Sequence, residues 1–285
     1  MKRNTLAWLF GVALLAIPAA AQTSEGYLDI YVAKVKLGKR MDFDALNKKE
    51  VEMNRKKGDH WTAWEVVYGD SNAVYFVSPR PTFAAAAEGI KAFEDAAKRS
   101  AGELGARKLF DDFDATAESE HDSLYRRRVD LSANAPANMA AQNKLVGEAR
   151  WIRLVTVRTR PGKILAYEAE LRRNKEANER MNPGIPFLVS QSVAGAAPGT
   201  FQTANLLKSL GDMDNIKQLQ QVRGDSYASY QKTLEEAVER VDIVIGRYVP
   251  ELSNPPDDVA AVDPAFWHPK PAATAAAKPK AAPKQ

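Results

Sequence analysis

The chain of 285 residues contains no cysteine, which excludes disulfides, thiolate nucleophiles and cysteine-ligated metals. Histidine is nearly as scarce, with only His60, His121 and His268, scattered over a hairpin, a helix end and a tail. Glu118 and His121 have the i, i+3 spacing of a metal-binding helix, but no second such motif faces them. The segment "DDFDATAESEHD" (111–122) therefore reads as a solvated acidic helix face, and neither a metal nor a cofactor is expected. Gly-Lys at 38–39 and 162–163 lacks the glycine run of a phosphate loop, and no Gly-x-Ser-x-Gly elbow is present.

Long apolar runs are also missing, apart from Leu6–Ile17, which at about a dozen residues is too short to span a bilayer. Lys2 and Arg3 precede it and Pro18-Ala19-Ala20-Ala21 follows, the pattern of a signal peptide over residues 1–21 cleaved before Gln22. The expected location is the periplasm or outside the cell, with no stable membrane span after cleavage. Excess charge of one sign is absent too. The formal charge is +4, but Lys2, Arg3 and the tail residues Lys270, Lys278, Lys280 and Lys284 account for six positive charges, leaving about −2. Nothing here favours nucleic acid as a partner.

What is present is a repeat. "LDIYVAKVKLGKRMDFDALNKKEVEMNRKKG" from Leu28 corresponds to "IRLVTVRTRPGKILAYEAELRRNKEANERMNPG" from Ile152. A constant offset matches Gly38-Lys39 with Gly162-Lys163, Phe43 with Tyr167 and Asn54 with Asn178. Each copy begins with a β-branched strand, turns at Gly-Lys and enters a charged amphipathic helix. "HWTAWEVVYGDSNAVYFV" (60–77) and "IPFLVSQSVAGAAPGTFQTANLL" (185–207) then read as strand–turn–strand. Helical regions follow, from Thr82 to about His121 and from Met213 to Arg240, and the copies close with "LYRRRVDLS" and "VIGRYVPELS". The order is βαββαβ, twice.

The expected fold class is α+β, with two tandem ferredoxin-like βαββαβ units, 26–132 and 150–253, forming an intrachain barrel. Residues 133–149 read as a linker, and the Pro/Ala/Lys-rich residues 254–285 as a disordered tail, in which only Phe266, Trp267 and His268 could dock back. This pattern resembles the dimeric α+β barrel superfamily, which includes antibiotic-biosynthesis-type monooxygenases, stress-responsive barrel proteins and NIPSNAP-like proteins. The resemblance lies in element order over about residues 26–253 and includes no catalytic motif.

Alternation along the first hairpin places His60, Thr62, Trp64, Val66 and Tyr68 on one face, the better candidate for a barrel interior. A cavity lined by His60, Trp64, Tyr68, Tyr31 and Phe76 would take a small apolar or aromatic ligand, with His60 as proton acceptor. The same residues can equally be core filler. Three functions stay open: a small-ligand-binding barrel protein, a cofactor-independent monooxygenase or haem-handling enzyme, as the resemblance implies, and a structural or partner-binding envelope protein. Oligomerisation is compatible with each.

Overall fold

A computed structural model describes residues 25–269. The segment expected to be a signal peptide, 1–21, lies outside the described residues, as does the tail from 270. The first half runs β1 (Tyr27–Val35), α1 (Arg40–Asn54), β2 (Thr62–Tyr68), β3 (Ala73–Arg80), α2 (Phe83–Asp114) and β4 (Ala117–Arg127). α3 (Met139–Glu148) connects it to the second, which runs β5 (Trp151–Thr159), α4 (Ile164–Met181), β6 (Leu188–Ala194) and β7 (Thr200–Leu207). The second half continues with α5 (Leu219–Arg223), α6 (Tyr227–Ala237) and β8 (Val238–Tyr248), and two short helices follow, α7 (Asp257–Ala260) and α8 (Pro264–Trp267).

All eight strands join in one closed antiparallel barrel, in the order β1-β3-β2-β8-β5-β7-β6-β4. The halves meet edge to edge: β2 pairs with β8, and β4 with β6. Closure uses every edge strand of both halves, so none of the eight is left as an open template for pairing. The Gly-Lys turns recur because both glycines need left-handed backbone, φ 76° at Gly38 and 75° at Gly162, before α1 and α4 begin.

The helices cover the outside of the barrel. α1 buries Phe43, Asn47, Glu50, Val51 and Asn54, the helical spacing of a single face. Its two buried asparagines are satisfied locally, Asn47 donating to Phe43 O (3.0 Å) and Asn54 to Glu50 O (2.9 Å). α2 starts with Thr82 accepting from the Ala85 amide and breaks at Gly102, where the backbone leaves helical geometry.

Three boundaries differ from the sequence reading. Ala117–Asp122 is not an acidic helix end but the first half of β4, paired with β1 from Val35 back to Tyr31. Its Glu, Ser, His and Asp residues are all largely exposed, so pairing rather than apolar pattern makes the strand. β8 likewise begins at Val238, inside the region expected to be helical. The linker holds a ten-residue helix, α3, capped by Asn138 accepting from the Ala141 amide (2.9 Å).

Residues 254–269 are folded rather than disordered. Trp267 is 1% exposed, donates from Nε1 to Gly147 O (3.0 Å) and meets Tyr248 edge-on at 5.8 Å. Arg150 stacks over Phe266 at 3.8 Å and pairs with Asp263. The C-terminal segment and α3 together cap one end of the barrel. Among the described residues no helix is long and apolar enough to cross a membrane.

Candidate functional site

The barrel encloses a cavity of about 130 Å³. Its walls are the inward side chains of the strands, and its lid is Ala135, Pro136, Gln142, Val146, Pro256 and Val259 from the α3 and α7 segments. An eight-stranded barrel is just wide enough to be filled by side chains or to hold one small ligand. Here it leaves space, and most of the lining is apolar.

The cavity has two chemically different walls, and the strand registers define them. Leu28 pairs with Pro79 and Ile152 with Leu206, so Tyr75 of β3 corresponds to Gln202 of β7. Trp64 pairs with Tyr75 and Ser190 with Gln202, so Trp64 corresponds to Ser190. Leu28 pairs with Tyr125 and Ile152 with Gly246, so Arg127 corresponds to Tyr248. The ladders between the halves agree independently: Trp64 lies opposite Tyr248, and Ser190 opposite Arg127. All six line the cavity, so Trp64, Tyr75 and Tyr248 on one side stand where Ser190, Gln202 and Arg127 stand on the other.

On the aromatic side Trp64 stacks on Tyr75 at 3.9 Å with the rings nearly parallel, 9° apart. The indole lies over Gly246, where a Cβ would sit 2.2 Å from it, so the close approach needs glycine. Trp64 is 1% exposed, and its Nε1 has no hydrogen-bond partner among the described residues. A buried orphan donor costs about 1–3 kcal/mol. Burial raises the Tyr75 and Tyr248 hydroxyls, so both stay protonated at neutral pH. On the polar side burial pushes the Arg127 guanidinium down to about 10, which leaves it charged.

Of the five residues singled out from sequence, only Trp64 lines this cavity. His60 precedes β2 at an exposed position, and Tyr68 is 58% exposed at the hairpin tip. Tyr31 and Phe76 lie on the opposite face of the sheet, which corrects their placement beside Trp64. Register is the reason: Tyr31 pairs with Phe76 and Phe76 with Ala63, whereas Trp64 pairs with Tyr75, one residue out of phase. Arg127 is legible in the sequence only as one of three arginines split between faces, and Ser190 and Gln202 carry no motif.

Tyr31 and Phe76 instead line a cleft of about 630 Å³ between the outer face of the first half and its helices. Tyr31 lies 5.8 Å from Phe76 and 6.2 Å from Phe113, ring centre to ring centre. Trp61 and Phe93, edge to face at 5.8 Å, continue the aromatic lining. Asp29, Glu50, Asp59, Glu94, Asp114 and Asp122 also line it, and the cation among its described lining residues, Arg80, is held by Asp29 and Asp59. Burial, with Glu120 nearby, raises the Glu50 carboxyl to about 8. Burial and the facing Glu120 raise Tyr31 as well.

No group of three or more His, Cys, Asp or Glu residues among the described residues could hold a metal ion. A porphyrin does not fit the 130 Å³ cavity. None of the three histidines lies in it or in the cleft, and all three occupy exposed positions.

No protein-family model matches the chain, and no curated protein matches it. Solved structures do. An anthrone oxidase-like protein superposes with a TM-score of 0.51 at 10% identity, over 80% of this chain and 93% of its own. A Fusobacterium nucleatum protein provisionally named a monooxygenase gives 0.50 at 9% identity, over 78% and 91%. A heme-binding protein of Thermus thermophilus gives 0.46 at 14% identity, over 81% and 94%. The fold is that of the dimeric α+β barrel. Identities this low carry fold and not activity.

Proposed function

We propose that the protein binds a small, mainly apolar or aromatic molecule bearing an oxygen acceptor inside the capped barrel. The observation behind this reading is the orphan Trp64 N–H in a mostly apolar cavity of about 130 Å³. An engineered apolar cavity of about 150 Å³ accepts benzene, so one aromatic ring sets the scale of the ligand. A carbonyl or hydroxyl oxygen on that ring would take up the indole donor. Ser190 and Gln202 across the cavity offer donors to a second acceptor.

The reading is of a binder rather than a base-assisted oxygenase. Among the described residues, the cavity lining holds no carboxylate or imidazole to remove a substrate proton, and its tyrosines are held protonated. We also infer that the halves are fused ferredoxin-like copies, since each follows the same element order and the same internal strand order, β4-β1-β3-β2 and β8-β5-β7-β6. A periplasmic or secreted location rests on residues 1–21, and N-terminal sequencing of exported protein beginning at Gln22 would support it.

Acetophenone and cumene test the binding reading, because they match in shape and only the first carries a carbonyl. Acetophenone should shift the Trp64 indole resonance saturably and bind about fivefold to tenfold tighter than cumene. Trp64→Phe should erase that preference. Equal binding of the two by wild type, or binding of neither, sinks the proposal.

A further inference from the structure

The two halves neutralise buried carboxylates on their helix-covered sides differently. In the second half Glu170 of α4 is 2% exposed and is paired with Arg223, whose guanidinium stacks on Tyr230 at 4.6 Å. Arg223 is itself buried, delivered by α5 after β7. The second half therefore carries its own cation, clasped by a carboxylate and an aromatic face.

The first half places its buried carboxylate one helical turn further along, at the position matching Asn174 of α4, and provides no such cation beside it. Glu50 of α1 is 7% exposed and lines the aromatic cleft, and its carboxyl oxygens have no hydrogen-bond or ion-pair partner among the described residues. Its neighbours across the cleft add negative charge, and the arginine that lines it, Arg80, is committed to Asp29 and Asp59. α2 fills the space corresponding to α5 and α6, and it brings Phe93, Phe110 and Phe113 to the cleft but no cation.

We propose that this outer cleft is a binding site for an organic cation, a protonated amine or amidinium that docks on Glu50 and the surrounding rings much as Arg223 docks on Glu170 and Tyr230. The site is separate from the barrel cavity: Tyr31, Trp61 and Phe76 face the cleft, while Trp64 and Tyr75 face the interior. Ring faces attract a desolvated cation, and a carboxylate beside them fixes its polar end. Benzamidinium is a suitable probe because it presents the same planar amidine-like fork as arginine. Benzamide is its neutral match.

The test uses the full chain with ¹⁵N-labelled tryptophan, titrated at about pH 9, where Glu50 is ionised. The Trp61 indole reports on the cleft and the Trp64 indole on the barrel, each assigned by its Phe variant. Benzamidinium should shift Trp61 saturably, leave Trp64 unmoved and bind about tenfold or more tighter than benzamide. Glu50→Gln should lower benzamidinium affinity about tenfold and abolish the preference, whereas Glu103→Gln, exposed on α2 outside the cleft lining, should change it less than about twofold. The wild-type comparison stands even if Glu50→Gln fails to fold. No shift at Trp61, equal binding of benzamide, or undiminished binding by Glu50→Gln would overturn the proposal.

Discussion

The two halves share a scaffold and differ in how they place charge and aromatic rings. Inside the barrel the first half contributes Trp64 and Tyr75 where the second has Ser190 and Gln202. Outside it the halves bury a carboxylate at different turns of α1 and α4: the second seals Glu170 with Arg223, while the first leaves Glu50, which matches Asn174, facing an open aromatic cleft. The shared strand order gives the two halves matching positions along the barrel wall. Matching positions inside the barrel therefore carry different chemistry, and the proposed binding reading rests on that asymmetry.

The largest expected effect comes from breaking the sealed side. Arg223→Ala leaves Glu170 buried with only the exposed Arg173 as a partner among the described residues. Losing one member of a buried pair costs about 3–5 kcal/mol. Denaturant unfolding at neutral pH should show that loss, and Arg223→Ala with Glu170→Gln should recover most of it. A loss below about 1 kcal/mol would mean that the pair does not distinguish the halves.

Much of the scaffold is legible in the sequence because it is local. The Gly-Lys turns, the amphipathic α1 and α4 and the strand–turn–strand segments each carry a signal within about twenty residues. Closure of the barrel is not local, since the edges that meet, β2 with β8 and β4 with β6, are far apart in the chain. The site is less legible for a related reason. Alternation sorts faces within a strand but does not say which face of one strand matches which face of the next. Tyr31 and Phe76 therefore look like companions of Trp64 until the register places them across the sheet. The start of β4 is hidden by composition, and α7 and α8 by their place in a Pro/Ala-rich stretch without periodicity.

Glu50→Gln should act in the opposite direction to Arg223→Ala. Burial raises Glu50 from 4.5 to about 8 in the folded state, so folding takes up a proton between those values. The Glu50 contribution to stability is therefore full below about pH 4.5, is lost as pH rises to about 8 and then levels off, a change of at most about 5 kcal/mol. Tyr31 of β1, Glu120 and Asp122 of β4, Asp114 and Glu94 of α2, and Arg80 with Asp29 and Asp59 surround it. Glu120 and Asp122 are raised as well, by burial first, and add to the same slope. The glutamine variant should match wild type near pH 4.5, exceed it by about 2–4 kcal/mol near pH 9, and flatten the profile between. Parallel profiles for the two proteins would show that Glu50 is not held neutral by burial.

The smallest effects are expected at the first-half hairpin residues outside the cavity. His60 and Tyr68 are exposed, so His60→Ala and Tyr68→Ala should each change stability by no more than about 0.5 kcal/mol. Acetophenone affinity should not change in either. Trp64→Phe keeps most of the apolar surface and gives up the N–H, so it should lose about 1 kcal/mol of acetophenone affinity, roughly fivefold. Isothermal titration of the three variants separates a chemically active hairpin from a single inward residue. If His60→Ala weakens binding as much as Trp64→Phe, the asymmetry between the halves extends along the whole hairpin. If only Trp64→Phe does, the difference narrows to one position, where Trp64 in one half stands for Ser190 in the other.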